Sequence, residues 1–113
     1  MQPIFHITTR SDWLAAAGSG SYTADTLASE GFIHCSFRDQ VLSVANARFR
    51  DRNDLVLLQI DPEGVEAPIR EENLEGGSAH FPHIYGALEC SAVRRVLAFS
   101  PGDDGSFSLP PEI

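Results

Sequence analysis

The run Leu55-Val56-Leu57-Leu58-Gln59-Ile60 constrains this chain more than any other stretch. Five of its six side chains are aliphatic, and they do not alternate with polar ones. Successive side chains of a strand point to opposite faces, so a strand of this composition is buried on both. Turn-forming clusters bound it, Arg52-Asn53-Asp54 before and Asp61-Pro62-Glu63-Gly64 after, which holds it to strand length. It reads as a central strand. A chain of 113 residues buries one core of this kind and not two. The expectation is a single domain over residues 1–113, with its core at about 4–99 and a C-terminal arm at 100–113.

The other elements fall around that strand. Ile4-Phe5-His6-Ile7-Thr8 reads as a strand with Ile4, His6 and Thr8 on one face and Phe5 and Ile7 on the other. Thr9-Arg10-Ser11-Asp12 has capping-box spacing for a short helix that Gly18 stops. Ser19 to Thr26 is a connection with Tyr22 as its large anchor, and Leu27 to Glu30 a turn. Gly31-Phe32-Ile33-His34-Cys35-Ser36 is a second strand, with Phe32, His34 and Ser36 on one face and Ile33 and Cys35 on the other. Ser36 is placed to cap a second helix from about Asp39 to Arg50, whose Val41, Val44, Ala45 and Phe49 fall at helical spacing. Ala67 to Glu71 suits an edge strand because of Pro68. Glu72 to Ala79 reads as a glycine-containing loop, Ala92 to Phe99 as a late strand, and Ser106 to Leu109 as a short hairpin arm. The fold class is α+β: a curved, mostly antiparallel, split sheet with two short helices.

Sixteen acidic against eight basic residues give a net charge of −8. That charge repels phosphate backbones and disfavours broad nucleic-acid binding. A local basic pocket stays open, since Arg48, Arg50 and Arg52 lie close together, as do Arg94 and Arg95; solvated surface charge is the plainer reading of both groups. Two cysteines, Cys35 and Cys90, make no disulfide framework. No signal peptide and no bilayer-length apolar segment is visible. The expectation is a soluble, reduced, cytoplasmic protein without a membrane partner.

Three stretches carry groups fit for chemistry: Phe5-His6-Ile7-Thr8, GFIHCS at 31–36, and Phe81-Pro82-His83-Ile84-Tyr85-Gly86. They are expected to meet around one small-molecule cleft. His34 sits just before a helix start, where free backbone N–H groups favour anionic ligands; a core histidine bonded to backbone is the competing account. Glu71 is the acid singled out, placed to stabilise positive charge on a sugar carbon; one more exposed carboxylate is the alternative. Three histidines with Cys35 or Glu71 would suit zinc, but no pair here has a recognised ligand spacing. Strand alternation turns Cys35 away from His34, so Ser36 is the better placed of the two nucleophile candidates.

Phe5-His6-Ile7-Thr8-Thr9, Trp13, the run from Leu27 to Ser36, Gln40, Asp54 to Leu58, Asp61-Pro62 and Phe81 to Gly86 together resemble the bacterial domain-of-unknown-function family numbered 952. The likeness covers residues 4 to about 99. More remotely, the His-Ile-Thr strand and the later His-Cys-Ser strand end look like the ADP-ribosyltransferase superfold, in particular its RNA 2′-phosphotransferase branch. That resemblance implies a split sheet with NAD in the cleft. It puts His6 at the nicotinamide ribose, His34 or Ser36 at the second-strand position and Glu71 at the acid position. Thr8, Ser36, His83 and Tyr85 would contact the ligand. The arginines that grip phosphate in that branch have no counterparts here. The implied function is ribosyl transfer or glycohydrolysis with NAD or a related nucleotide. A non-enzymatic binding module and a metal-dependent hydrolase are the alternatives.

Overall fold

The computed structural model describes residues 2–74 and 77–113. Glu75 and Gly76, which fall within the loop expected at 72–79, lie outside the described residues. β4 (Leu55–Ile60) is the centre of the molecule. It pairs with β1 (Ile4–Thr9) on one side and with β8 (Val93–Phe99) on the other, both antiparallel. Val56, Leu58 and Ile60 face one core cluster, and Leu55 and Leu57 face a second. The double burial expected of this run is therefore met by two separate layers.

The first layer contains α1 (Arg10–Ser19), through Ala16 and Trp13. Thr9 caps it by accepting the Asp12 N–H at 3.1 Å. The helix runs past Gly18 and stops at Gly20, whose φ of 87° lets its N–H reach the Ala16 carbonyl. Left-handed φ is what glycine supplies cheaply, and Gly20 rather than Gly18 occupies that conformation. The second layer contains α3 (Val41–Arg48), through Val41 and Ala45. Phe107 joins it, stacked on Phe99 at 4.7 Å between ring centroids. The arm at 100–113 is anchored by Phe107 N–H donating to Asn46 Oδ1 at 2.8 Å. It forms no strand, so the expected hairpin is absent among the described residues.

β3 (Ile33–His34), β6 (Phe81–Ile84) and β5 (Ile69–Glu72) form another antiparallel sheet in the order β3-β6-β5. A third, two-stranded sheet pairs β2 (Ser21–Tyr22) with β7 (Leu88–Glu89). One bridge, Phe5 to Ser36, links the two larger sheets, with each N–H donating to the other's carbonyl at 2.8 Å. Through it the strand order runs β8-β4-β1-β3-β6-β5, antiparallel throughout. Beyond this bridge β1 and β3 part.

Two expectations change. The described residues hold three α-helices, not two, because α2 (Asp25–Glu30) replaces the turn expected at 27–30. Gly31, at φ 87°, closes it. Ser36 does not cap the helical segment that follows. Its backbone is committed to the Phe5 bridge, and a 3-10 turn at Arg38–Gln40 leads into α3. The free N–H at Phe37 is met instead by Gln40 Oε1 at 2.9 Å.

Candidate functional site

The site lies where β1 and β3 separate. An antiparallel ladder continuing from the Phe5–Ser36 pair would next join Ile7 to His34. Instead the His6 ring occupies the gap, and its Nδ1 lies 2.5 Å from the His34 carbonyl oxygen. A carbonyl only accepts, so Nδ1 carries the proton. Nε2 lies 2.8 Å from the Tyr22 hydroxyl, which is itself 2.9 Å from Thr8 Oγ1. Both ring nitrogens of His6 are thus bonded within the protein. Burial pushes its pKa down from 6.5 to about 4, because a charged imidazole there loses its hydration. Burial likewise pushes the Tyr22 phenol up to about 12.

Across the split, strand pairing sets His34 opposite His83. The His83 ring is 4% exposed as a residue and stacks on Phe32 at 4.2 Å, 25° from parallel. His34 meets the same Phe32 edge-on at 4.8 Å. Its Nε2 is 3.0 Å from Oε2 of Glu30, the last residue of α2. Glu72 Oε1 accepts from both His83 Nδ1 at 3.0 Å and the Tyr85 hydroxyl at 2.5 Å. The Tyr85 and His83 donors hold the Glu72 carboxyl below its usual range, and Glu72 holds the Tyr85 phenol above its own. Arg70 lies over the Tyr85 ring at 4.8 Å, a cation–π contact.

A cavity of about 580 Å³ lies against this split. His6, Thr8, Tyr22, His34, Ser36, Glu72 and His83 form one wall; Ser43, Val44, Ala47 and Phe49, from α3 and its end, form another. The buried polar residues His6, Thr8, Ser36 and His83 all reach it. A fold tolerates buried polar side chains when they are bonded or when they serve a site. Tyr85 touches the site through Glu72 and does not itself line the cavity. Cys35 packs into the first core cluster with Ile33, and burial pushes its thiol pKa up, away from nucleophilic use.

Glu71 is not brought to the cleft. In β5 it alternates with Glu72, so Glu71 is exposed while Arg70 and Glu72 share the face that meets Tyr85 and His83. The strand extends one residue further than expected, and that residue carries the cleft carboxylate. Tyr22 is the other member that sequence reasoning did not select. Its signal was being the one large side chain in a small polar stretch. No group of three or more His, Cys, Asp or Glu side chains placed to hold a metal ion occurs among the described residues. Nor is any described helix long and apolar enough to cross a membrane.

Residues 7–96 match the sequence profile of a family described as protein of unknown function, DUF952. The chain is similar to the crystal structure of protein CC0527 from Caulobacter crescentus, at 33% identity and a TM-score of 0.86, over 96% of this chain and 95% of that one. The solution NMR structure of the same protein is similar at 32% identity and a TM-score of 0.82, over 100% and 97%. No curated protein matches the chain.

Proposed function

We propose, from the premise that the chain belongs to the DUF952 family, that its cleft binds a riboside of the NAD kind and breaks the bond at ribose C1′. One observation carries this reading: His6, Thr8, His34, Ser36, Glu72 and His83 converge on a single cavity of about 580 Å³ at a split between antiparallel sheets. That volume suits a small organic ligand. The remote likeness to the ADP-ribosyltransferase superfold supports the same choice of ligand, as does the expected cytoplasmic location. Fold likeness alone does not carry activity, so the roles rest on the side chains.

In this reading the electron pair of the C1′–N bond leaves with the nicotinamide nitrogen and neutralises that ring. Positive charge grows on C1′, and the Glu72 carboxylate stabilises it. Both bonds to Glu72 fall on Oε1, which leaves Oε2 for the ligand. A hydroxyl acceptor, water in the simplest case, forms the new C1′–O bond and gives up its proton. Glu72 accepts from His83 Nδ1, so Nε2 of His83 is the nitrogen placed to take that proton. His34 and Ser36 contact the ligand from β3 and its extension. His6, with both nitrogens engaged, shapes the cleft rather than touching ribose.

Proton NMR of NAD incubated with the protein tests this. The expected result is release of free nicotinamide, lost in Glu72→Gln. Saturable binding without release would make the cleft a binding module. No binding of NAD, ADP-ribose or a riboside would refute the reading.

A further inference from the structure

We infer that Ser36 Oγ and His83 Nε2 together seat one water molecule, the acceptor of the reaction, which makes Ser36 a catalytic residue. Four polar residues are buried where they reach the cavity, and they divide into two pairs. His6 and Thr8 engage their side chains inside the protein, on the His34 carbonyl and the Tyr22 hydroxyl. Ser36 and His83, 6% and 4% exposed, each keep one atom unbonded. The Ser36 hydroxyl has no hydrogen-bond partner among the described residues, and the His83 ring is bonded through Nδ1 alone. Neither unbonded atom is sealed in the core. Among the described residues, the side-chain atom that is both sealed and unpartnered is Glu89 Oε1, in β7 and away from the cavity. Polar atoms of buried residues seldom go without a partner, and these two open onto the same space.

The strand register sets them side by side. Ile33 and Cys35 point into the first core cluster, so His34 and Ser36 share the opposite, cavity face. His83 stands opposite His34, and the Cys35 N–H, donating to the Pro82 carbonyl at 3.0 Å, carries the pairing on toward Ser36. Ser36 and His83 are therefore diagonal neighbours, roughly 7 Å apart at Cβ. β6 lies between β3 and β5. Nδ1 of His83 is turned to Glu72 on β5, so the other edge of the ring, with Nε2, is turned to β3 and Ser36. One water oxygen spans that interval with two polar partners. Ser36 donates its proton to the oxygen, and its own lone pairs remain for the ligand. The water donates to Nε2, and its second lone pair is left for C1′. The acceptor role rests on the proposed function: the C1′–O bond forms, the water proton passes to Nε2, and the electron pair of the C1′–N bond leaves with nicotinamide.

A high-resolution crystal structure of the ligand-free protein tests the seat without any turnover. The expected result is an oxygen within hydrogen-bond distance of both Ser36 Oγ and His83 Nε2, lost in Ser36→Ala. No oxygen bridging the two, or one unchanged in Ser36→Ala, overturns the inference. Kinetics with NAD then test the acceptor role. Ser36→Ala should lower kcat about tenfold or more and leave KM within about threefold, because substrate still binds while the acceptor is misplaced. Ser36→Thr, which keeps the hydroxyl, should recover most of the rate. An equal loss in both variants, or a raised KM with kcat unchanged, overturns the proposal. Ser36→Cys, close in shape but a weak donor, gives a second route if Ser36→Ala does not fold, and should lose both the oxygen and the rate. If no riboside is turned over, the proposed function fails separately, and the bridging oxygen alone decides for or against the seat.

Discussion

The two sides of the split bond their histidines to different kinds of partner. On the β1 side His6 is buried, bonded at both nitrogens and neutral, and its partners are a carbonyl and a phenol. On the β3–β6 side His34 and His83 are each bonded to a carboxylate, Glu30 and Glu72. His34 remains about a third exposed. The difference teaches that residue type in a cleft does not define a role. His6 substitutes for a missing ladder bond and fixes geometry, whereas His34 and His83 are held by carboxylates, one of which, Glu72, lines the cavity with them.

His6→Ala should break the comparison most severely. It leaves the His34 carbonyl and Tyr22 hydroxyl without their partner and opens a void, so we expect a loss of about 3 kcal/mol in urea unfolding. The pH profile follows at similar size. Between pH 6.5 and about 4 the folded protein binds fewer protons at His6 than the unfolded chain does. Stability from this group is full above pH 6.5 and falls as pH drops through that window, by about 3 kcal/mol in all. His6→Gln should flatten that part of the curve. Glu72 acts on the acid side of it: its contribution is present above the usual carboxylate range and is lost as pH falls through its lowered value.

Glu72→Gln should lower the urea midpoint less than His6→Ala does, through the weakened bonds to His83 and Tyr85. Its larger consequence is loss of turnover with ligand still bound, which single-turnover kinetics and calorimetry separate. His34→Ala should be the mildest for the fold, under about 1 kcal/mol, because its contact with Glu30 is exposed. A larger loss would place His34 with His6 and erase the distinction.

Much of the frame is legible in the residues themselves. The apolar run at 55–60 announces a strand covered twice, and the period-2 pattern of β1 places His6 and Thr8 opposite Phe5 and Ile7. The sorting of Ile33 and Cys35 into the core is legible for the same reason. What local pattern cannot report is pairing between distant residues. The Phe5–Ser36 bridge joins strands 31 residues apart, and it determines where the sheet splits and why Ser36 has no capping role. Glu72 rather than Glu71 meets the cleft because β5 runs one residue further than expected and neighbouring strand residues face opposite sides. Tyr22 joined the site through a side chain reaching 14 residues back to Thr8. α2 is a six-residue helix without a side-chain cap, too short to carry a periodic signal.

Calorimetric titration of ADP-ribose into the wild type and into His34→Ala, with thermal unfolding of both, tests the account most directly. It predicts saturable binding to the wild type and none to the variant, at nearly equal melting temperatures. No binding to the wild type, or unchanged binding to a destabilised variant, would contradict it.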